Sequence, residues 1–300
     1  DTKHIYELGS ELRKLGVDLE EEGDAAGFFG VDLVRDKEGQ IHMKQPGLIG
    51  RIISALGFKK EETTTKDTPA ERKPLTKDKN GPLAHESFNY ASVVGMLLYL
   101  SGHSRPDIAY AVNCAARYMF APKHSHELHL KRLGRYLKAT RSKGLILNPS
   151  SNTLKIDCYP DADFAGTYGY ALVSDPACVK SRTGYVINVA DCPVLWQSKL
   201  QSETALSTME AEIIALAHSC RELFPIMDMV VAMSSAVGLP SPSTSMHVSI
   251  HEDNAGALVL AETLPPQHTP RSKWYAVKTI WFREEIVKRG ITLFKIETKE

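Results

Sequence analysis

Leu154-Lys155-Ile156-Asp157-Cys158-Tyr159-Pro160-Asp161-Ala162-Asp163-Phe164-Ala165-Gly166 is the stretch from which the fold can be read. Leu154, Ile156 and Cys158 alternate with polar neighbours, which is the period-two pattern of a half-buried strand. Asp161 and Asp163 sit where that strand is expected to end, and Gly166 follows. A strand that carries a carboxylate to its own end is a common way to hold a divalent cation. Farther along, Glu210 falls at the start of a helical pattern, and Asp253 lies at the end of another apolar strand.

Downstream of this stretch, residues 183–189 and 194–197 read as second and third strands. Ser207 and Thr208 cap a long helix with apolar Met209, Ile213, Leu216 and Ala217, which Pro225 is expected to kink or split. Residues 246–250 form a fourth strand running into Asp253. A short helix at 255–261, a loop at Pro265 and Pro266, a helix at 272–289 and a fifth strand at 291–296 complete this half. Three consecutive strands on hairpin-length connections imply an antiparallel part, and strands joined by helices imply a parallel part. The class is therefore α/β (α+β), a mixed five-stranded sheet with flanking helices. In such a sheet the first strand is central, the fourth is its parallel neighbour, and the long helix crosses one face. Asp161 and Asp253 then share one sheet edge, with Glu210 aimed at the same spot. Three carboxylates repel one another unless a cation joins them. Two Mg²⁺ ions about 4 Å apart would satisfy them and support in-line phosphodiester hydrolysis, one activating water and the other stabilising the leaving oxygen.

Upstream, a Ser/Asn/Pro linker at 148–152 marks a domain boundary. Before it come a helix at 5–15, a strand at 28–34, a turn at 36–39, a return strand at 40–44 and a helix at 45–56 stopped by Gly57. A polar, Thr/Pro-rich connection at 59–82 leads to helices at 90–100, 105–119 and 125–140. The last should turn Leu128, Leu133, Tyr136 and Leu137 inward. Its other side carries Lys131, Arg135 and Lys138, either a solvated face or one that tracks phosphates.

Lys plus Arg equals Asp plus Glu at 36 each, so the chain is no highly basic nucleic-acid coat, although local basic faces remain open to it. No apolar run is long enough to cross a membrane, and the N-terminal residues resemble neither a signal nor a transit peptide. Five cysteines, with no Cys-x-x-Cys pair, read as free thiols of a reducing compartment. Glycine-rich phosphate loops, zinc spacings and a nucleophile elbow are absent, and His124, His126 and His129 read as surface or packing residues. The first residue is not Met and the last segment is charged and strand-like, so both ends read as cuts through a longer chain.

Y-P-D-A-D-F-A-G (159–166), S-R-T-G-Y-V (181–186), W-Q-S-K-L-Q (196–201), A-L-S-T-M-E-A-E-I-I-A-L (205–216) and E-D-N-A-G-A (252–257) occur in this order. Together they resemble the ribonuclease H domain of Ty1/copia-type LTR retrotransposon Pol polyproteins. F-F-G-V-D-L (28–33), Y-A-S-V-V-G-M-L-L-Y-L (90–100), S-R-P-D-I-A-Y-A-V-N (104–113) and K-R-L-G-R-Y-L-K-A-T (131–140) resemble the end of the same family's reverse transcriptase and its connection. The resemblance divides the chain into the end of a polymerase palm (1–44), a helical thumb or connection (45–147) and a ribonuclease H-like domain (152–300). Its metal-binding and catalytic acids carry over to Asp161, Glu210 and Asp253, with Asp163 as a neighbour. It implies hydrolysis of the RNA strand of an RNA–DNA hybrid during reverse transcription. The cofactor would be Mg²⁺, two ions, with Mn²⁺ as the alternative. Hybrid recognition would rest on shape and 2′-hydroxyl contacts, with Lys131, Arg135, Lys138, Gln197 and Lys199 as backbone contacts. The expected partners are the hybrid and the remainder of the polyprotein, its upstream palm and fingers, with no membrane. The expected place is intracellular, a cytoplasmic virus-like particle or the nucleus. No Tyr-x-Asp-Asp run is present, so this stretch carries no polymerase site, and the family's fourth ribonuclease H carboxylate would follow Lys299-Glu300. The other reading is a catalytically inactive nucleic-acid-binding or structural remnant of a decayed element.

Overall fold

The computed structural model describes residues 2–19, 30–58, 64–84, 88–149, 154–236, 238, 246–262 and 273–297, with only the backbone for 2–5 and 273–280. The Phe28-Phe29 opening of the first expected strand, residues 150–152 of the expected linker, and the Pro265-Pro266 loop lie outside these.

The first part of the chain builds a helical core over a small sheet. Helix α1 spans Thr2–Lys14, and strands β1 (Asp32–Arg35) and β2 (Ile41–Lys44) form an antiparallel hairpin. The hairpin turn needs Gly39, whose φ of 86° is open to glycine at no steric cost. Helices α2 (Pro46–Ala55), α3 (Tyr90–His103), α4 (Ala109–Ala116) and α5 (His124–Ala139) follow, with a single 3₁₀ turn at Pro106–Ile108 before α4. Pro106 suits the first turn, where its missing N–H has no partner to lose. Ile49, Ile52, Leu97, Leu100, Ile108, Leu130, Leu133 and Leu137 are all fully buried in one cluster. Leu128, expected inside, is half exposed, and Leu130 takes the inward place, so the α5 stripe runs 126, 130, 133, 137. Buried Arg105 locks α5 to the turn before α4. It donates to both Asp107 carboxylate oxygens, at 2.8 and 2.7 Å, and to the Thr140 carbonyl at 3.0 Å, while Tyr136 Oη donates to Asp107 at 2.6 Å.

Strand β3 (Leu145–Leu147) was not foreseen. It pairs antiparallel with β2, Ile41 opposite Leu147 and Met43 opposite Leu145. The chain expected to form a separate connection from residue 45 therefore returns to the sheet formed before it.

The second part holds β4 (Lys155–Asp163), β5 (Arg182–Val189), β6 (Cys192–Leu200), α6 (Thr208–Ala236), β7 (His247–Glu252), α7 (Ala255–Glu262), α8 (Lys273–Lys288) and β8 (Thr292–Lys295). The strand order is β6-β5-β4-β7-β8. β4 pairs antiparallel with β5 and parallel with β7, and β7 pairs parallel with β8. This is the ribonuclease H-like mixed sheet, with its first strand in the centre. β5 and β6 turn through Ala190 and Asp191, both at positive φ (50° and 67°), as a two-residue hairpin of right-handed twist requires. Ile156, Cys158, Ile187, Val248 and Ile250 pack on Leu216, Cys220 and Leu223 of α6 and on Phe282 and Ile286 of α8. All five cysteines are free and buried.

β4 ends at Asp163, as expected, its pairing with β5 running to Asp163 opposite Arg182. One expectation needs correction. Helix α6 runs on through Pro225 without splitting. Pro225 lies on the exposed side, so the carbonyl that loses its donor can turn to water, while Leu223, Phe224 and Met227 keep the helix on the sheet.

The two parts touch at β5 and β6. Trp196 Nε1 donates to the Ser101 carbonyl at 2.7 Å. Arg182 donates to Asn113 Oδ1 at 2.6 Å and lies over the Tyr110 ring at 5.0 Å.

Candidate metal centre

Asp161 comes from the central strand, opposite Gly184 of β5. Asp253 follows the last residue of β7, in a tight turn where the Asn254 N–H donates to Glu252 Oε1 at 3.0 Å. Asn254 in turn caps α7, its Oδ1 accepting from the Gly256 and Ala257 N–H groups at 2.9 and 3.0 Å. The parallel pairing of β4 with β7 brings the two aspartates to the same sheet end.

The third acid of the group is Glu212. One carboxylate oxygen from each of Asp161, Glu212 and Asp253 lies within 4.8 Å of the others. Glu210 is not in this group. Its Oε2 accepts from the Leu206 N–H at 2.8 Å, while Ser207 Oγ accepts from the Glu210 N–H at 3.1 Å. Together these two bonds cap the helix start, the Glu210 carboxylate reaching back to the residue before the N-cap Ser207. Two residues along a helix turn a side chain by about 200°, so Glu210 and Glu212 cannot serve the same spot. Gln201 fixes the helix start beside Glu212: its Nε2 donates to Thr183 Oγ1 and to the Ala211 carbonyl, both at 3.0 Å. Asp163 lies outside the three-acid group, opposite Arg182.

The electrostatics of the group are those of crowded acids. Burial pushes the Glu212 carboxyl up to about 9, with Glu252, Asp161 and Asp253 adding their charge. Burial also raises Asp161, helped by Asp253. Fully buried Glu252 is pushed up to about 7, again chiefly by burial, against the Asn254 N–H that favours its charge. Glu212 Oε2 and Glu252 Oε2 are both buried without a hydrogen-bond partner. Acceptor-only oxygens, crowded and without donors, fit a hard divalent cation with oxygen ligands.

The basic residues expected to meet nucleic acid are placed less uniformly. Lys131 Nζ lies 2.6 Å from buried Glu127, and Arg135 sits over the Phe58 ring at 5.5 Å. Lys138 is half-buried. Gln197 is half-buried on β6, opposite Tyr185, and Lys199 is exposed opposite Thr183. The α5 stripe is therefore largely engaged with its own fold, and only Lys199 stands clear of it.

Glu212 is the functional candidate that the sequence reading missed, though the signal was present. Ser207 and Glu210 are three apart, the spacing of a capping box, which assigns Glu210 to the helix end and leaves Glu212 for the site.

No family model matches the chain. It is 29% identical over 303 residues to the retrovirus-related Pol polyprotein from transposon TNT 1-94 of Nicotiana tabacum, covering 99% of this chain and 21% of that protein. It is 28% identical over 273 residues to the corresponding polyprotein from transposon RE1 of Arabidopsis thaliana, covering 91% and 17%. Among solved structures, LC11-RNase H1, isolated from compost, is similar at 18% identity, covering 48% of this chain and 84% of that one, with a TM-score of 0.33. The fold assignment rests on the strand order itself. The chain spans about a fifth of the length of these polyproteins. Aligned along almost its whole length and holding a ribonuclease H-like sheet, the chain resembles the Pol polyproteins of Ty1/copia-type retrotransposons.

Proposed function

We propose that the acid-bearing end of the sheet hydrolyses the RNA strand of an RNA–DNA hybrid, with Mg²⁺ or Mn²⁺ held by Asp161, Glu212 and Asp253. The observation that carries this is the convergence of those three carboxylates within 4.8 Å at the end of a ribonuclease H-like sheet. Divalent ions held there would supply an activated water and stabilise the leaving oxygen. Asp161 and Asp253 approach from adjacent strands and Glu212 from the helix across them, so the three oxygens bracket one point from three sides. Glu212 gives up its proton when its charge is matched, so loading the site should release protons. Gln201 and the Ser207 and Glu210 bonds at the helix start keep α6 in register, so Glu212 need not be ordered at each turnover. The hybrid would be recognised by backbone shape and 2′-hydroxyls, and the rest of the polyprotein would present it.

The test is hybrid cleavage with Mg²⁺ or Mn²⁺ by the wild-type chain and by Asp161→Asn, Glu212→Gln and Asp253→Asn variants. Metal-dependent cutting of the RNA strand, lost in each variant, is the expected result. Hybrid binding with no cleavage, unaltered by the substitutions, would replace the nuclease with a non-catalytic binding remnant.

A further inference from the structure

Two neighbouring cavities open where segment 64–84 runs along α5 and the turn that follows α4, with volumes of about 520 and 400 Å³. They share Lys77, Asp78 and Lys79 as a common wall. Lys73 and Arg132 line the larger one, and Arg117 and Lys123 the smaller. Six cations thus converge in a chain of zero net charge. The acids among them are committed to structure. Asp78 accepts from the Gly81 N–H at 2.7 Å and from Ser125 Oγ at 2.8 Å, Asp175 caps a turn by accepting from Ala177 N–H, and Glu71 faces Arg132 at 3.6 Å. Two buried guanidinium nitrogens in the walls, Arg117 Nη1 and Arg132 Nε, have no hydrogen-bond partner. Buried unpaired guanidinium donors are costly, and anionic oxygens are what relieve them. Exposed aromatic surface adjoins the cations: Phe120 at the smaller cavity is fully exposed, and Tyr170 at the larger is 58% exposed.

A chain of bonded residues connects the cleft to β4, the strand that carries Asp161. Asp163 pairs across to Arg182, Arg182 bonds Asn113 on α4, and Arg117 lies one helical turn beyond Asn113. The loop that leaves Asp163 contributes Tyr170 and Leu172 to one cavity and Asp175 to the other. We propose that this cleft binds the sugar–phosphate backbone of the hybrid whose RNA strand the three-acid site would cut, its cations meeting phosphates and its aromatics packing on sugars. The identity of the partner rests on the hybrid-hydrolysing reading.

The test is equilibrium binding of a fluorescein-labelled 20-base-pair RNA–DNA hybrid in EDTA, where no cleavage competes. Lys77→Glu/Lys79→Glu should weaken binding at least tenfold at low salt and flatten the log K against log salt slope by about two, with an unchanged thermal midpoint. Arg117→Gln should weaken it severalfold. Lys14→Glu/Lys288→Glu, which changes the same charge outside the cleft, should shift affinity less than twofold. Equal losses in the cleft and control variants, or none in either, would overturn the proposal, as would equally tight cleft-dependent binding of poly-glutamate. Unaltered binding by the cleft variant alongside Asp161-dependent cleavage would sink the cleft and leave the nuclease standing. Cleft-dependent binding without any metal-dependent cleavage would uphold the cleft and sink the nuclease.

Discussion

Glu210 and Glu212 differ by two positions and should differ in every measurement. Replacing Glu210 with Ala removes the acceptor of the Leu206 N–H just before the helix. It should cost about 1 kcal/mol in urea denaturation and leave hybrid cleavage within about threefold. Glu212→Gln should lower cleavage by on the order of a hundredfold or more, since it removes a charge that holds the cation. Its effect on stability runs the other way. Glu212 is held near 9 against an ordinary 4.5, so the folded state prefers the protonated form. That preference contributes fully below about pH 4.5 and is lost as pH rises towards 9. The metal-free protein should therefore lose stability across that window, with Asp161 and Glu252 adding to the loss. Thermal melts from pH 5 to 9 should show Mg²⁺ restoring stability increasingly as pH rises. Glu212→Gln should flatten both trends, and a Mg²⁺ effect of constant size at all pH values would refute this account.

Among the elements, α6 carries the clearest test. It contains Pro225 on its exposed side and remains one helix of 29 residues. An interior proline removes a hydrogen bond and strains the preceding turn, a cost of about 3 kcal/mol in an unsupported helix. Burial of Leu216, Cys220, Leu223, Phe224 and Met227 along the opposite side keeps the helix unbroken despite it. Pro225→Ala should stabilise the protein by about 1–3 kcal/mol in chemical denaturation; a loss of stability would mean that the proline's shape, not its burial context, sets the helix path. The general course of this helix was legible in its apolar spacing. Its continuity was not, because local rules count the missing hydrogen bond and not the packing that compensates it. Leu128 and Leu130 on α5 make the same point, since both fit a helical stripe and only the neighbours decide which of them is covered.

For the molecule as a whole, the question is how the helical part and the ribonuclease H-like part are joined. Trp196 to the Ser101 carbonyl and Arg182 to Asn113 cross between them. Arg182 is nearly buried, so its loss strands Asn113 as well. We expect one calorimetric transition for the wild type, and two resolved transitions once Trp196→Phe and Arg182→Met are combined, because each part has its own buried cluster. A single transition at lower temperature in the double variant would show that the parts fold as one unit by other contacts.

The alternation at 154–158, the hairpin-spaced strands after it and the helix-spaced strands beyond were enough to specify a mixed sheet with its first strand central. Those patterns are short-range, set by which face of each element must be buried. The positions of Asp161 and Asp253 followed from the same logic, as strand ends that parallel pairing must bring together. What only tertiary structure decided was which of two nearby glutamates completes the group, where β3 goes, and which basic residues remain open to a partner. Glu210 and Glu212 both stand at a helix start. The choice between them depends on the rotation of α6 against the sheet, which is set by contacts such as Gln201 with Ala211 that lie ten residues apart in sequence. Lys131 and Arg135 likewise looked free on a helical projection, and long-range folding gave one a buried acid and the other an aromatic ring.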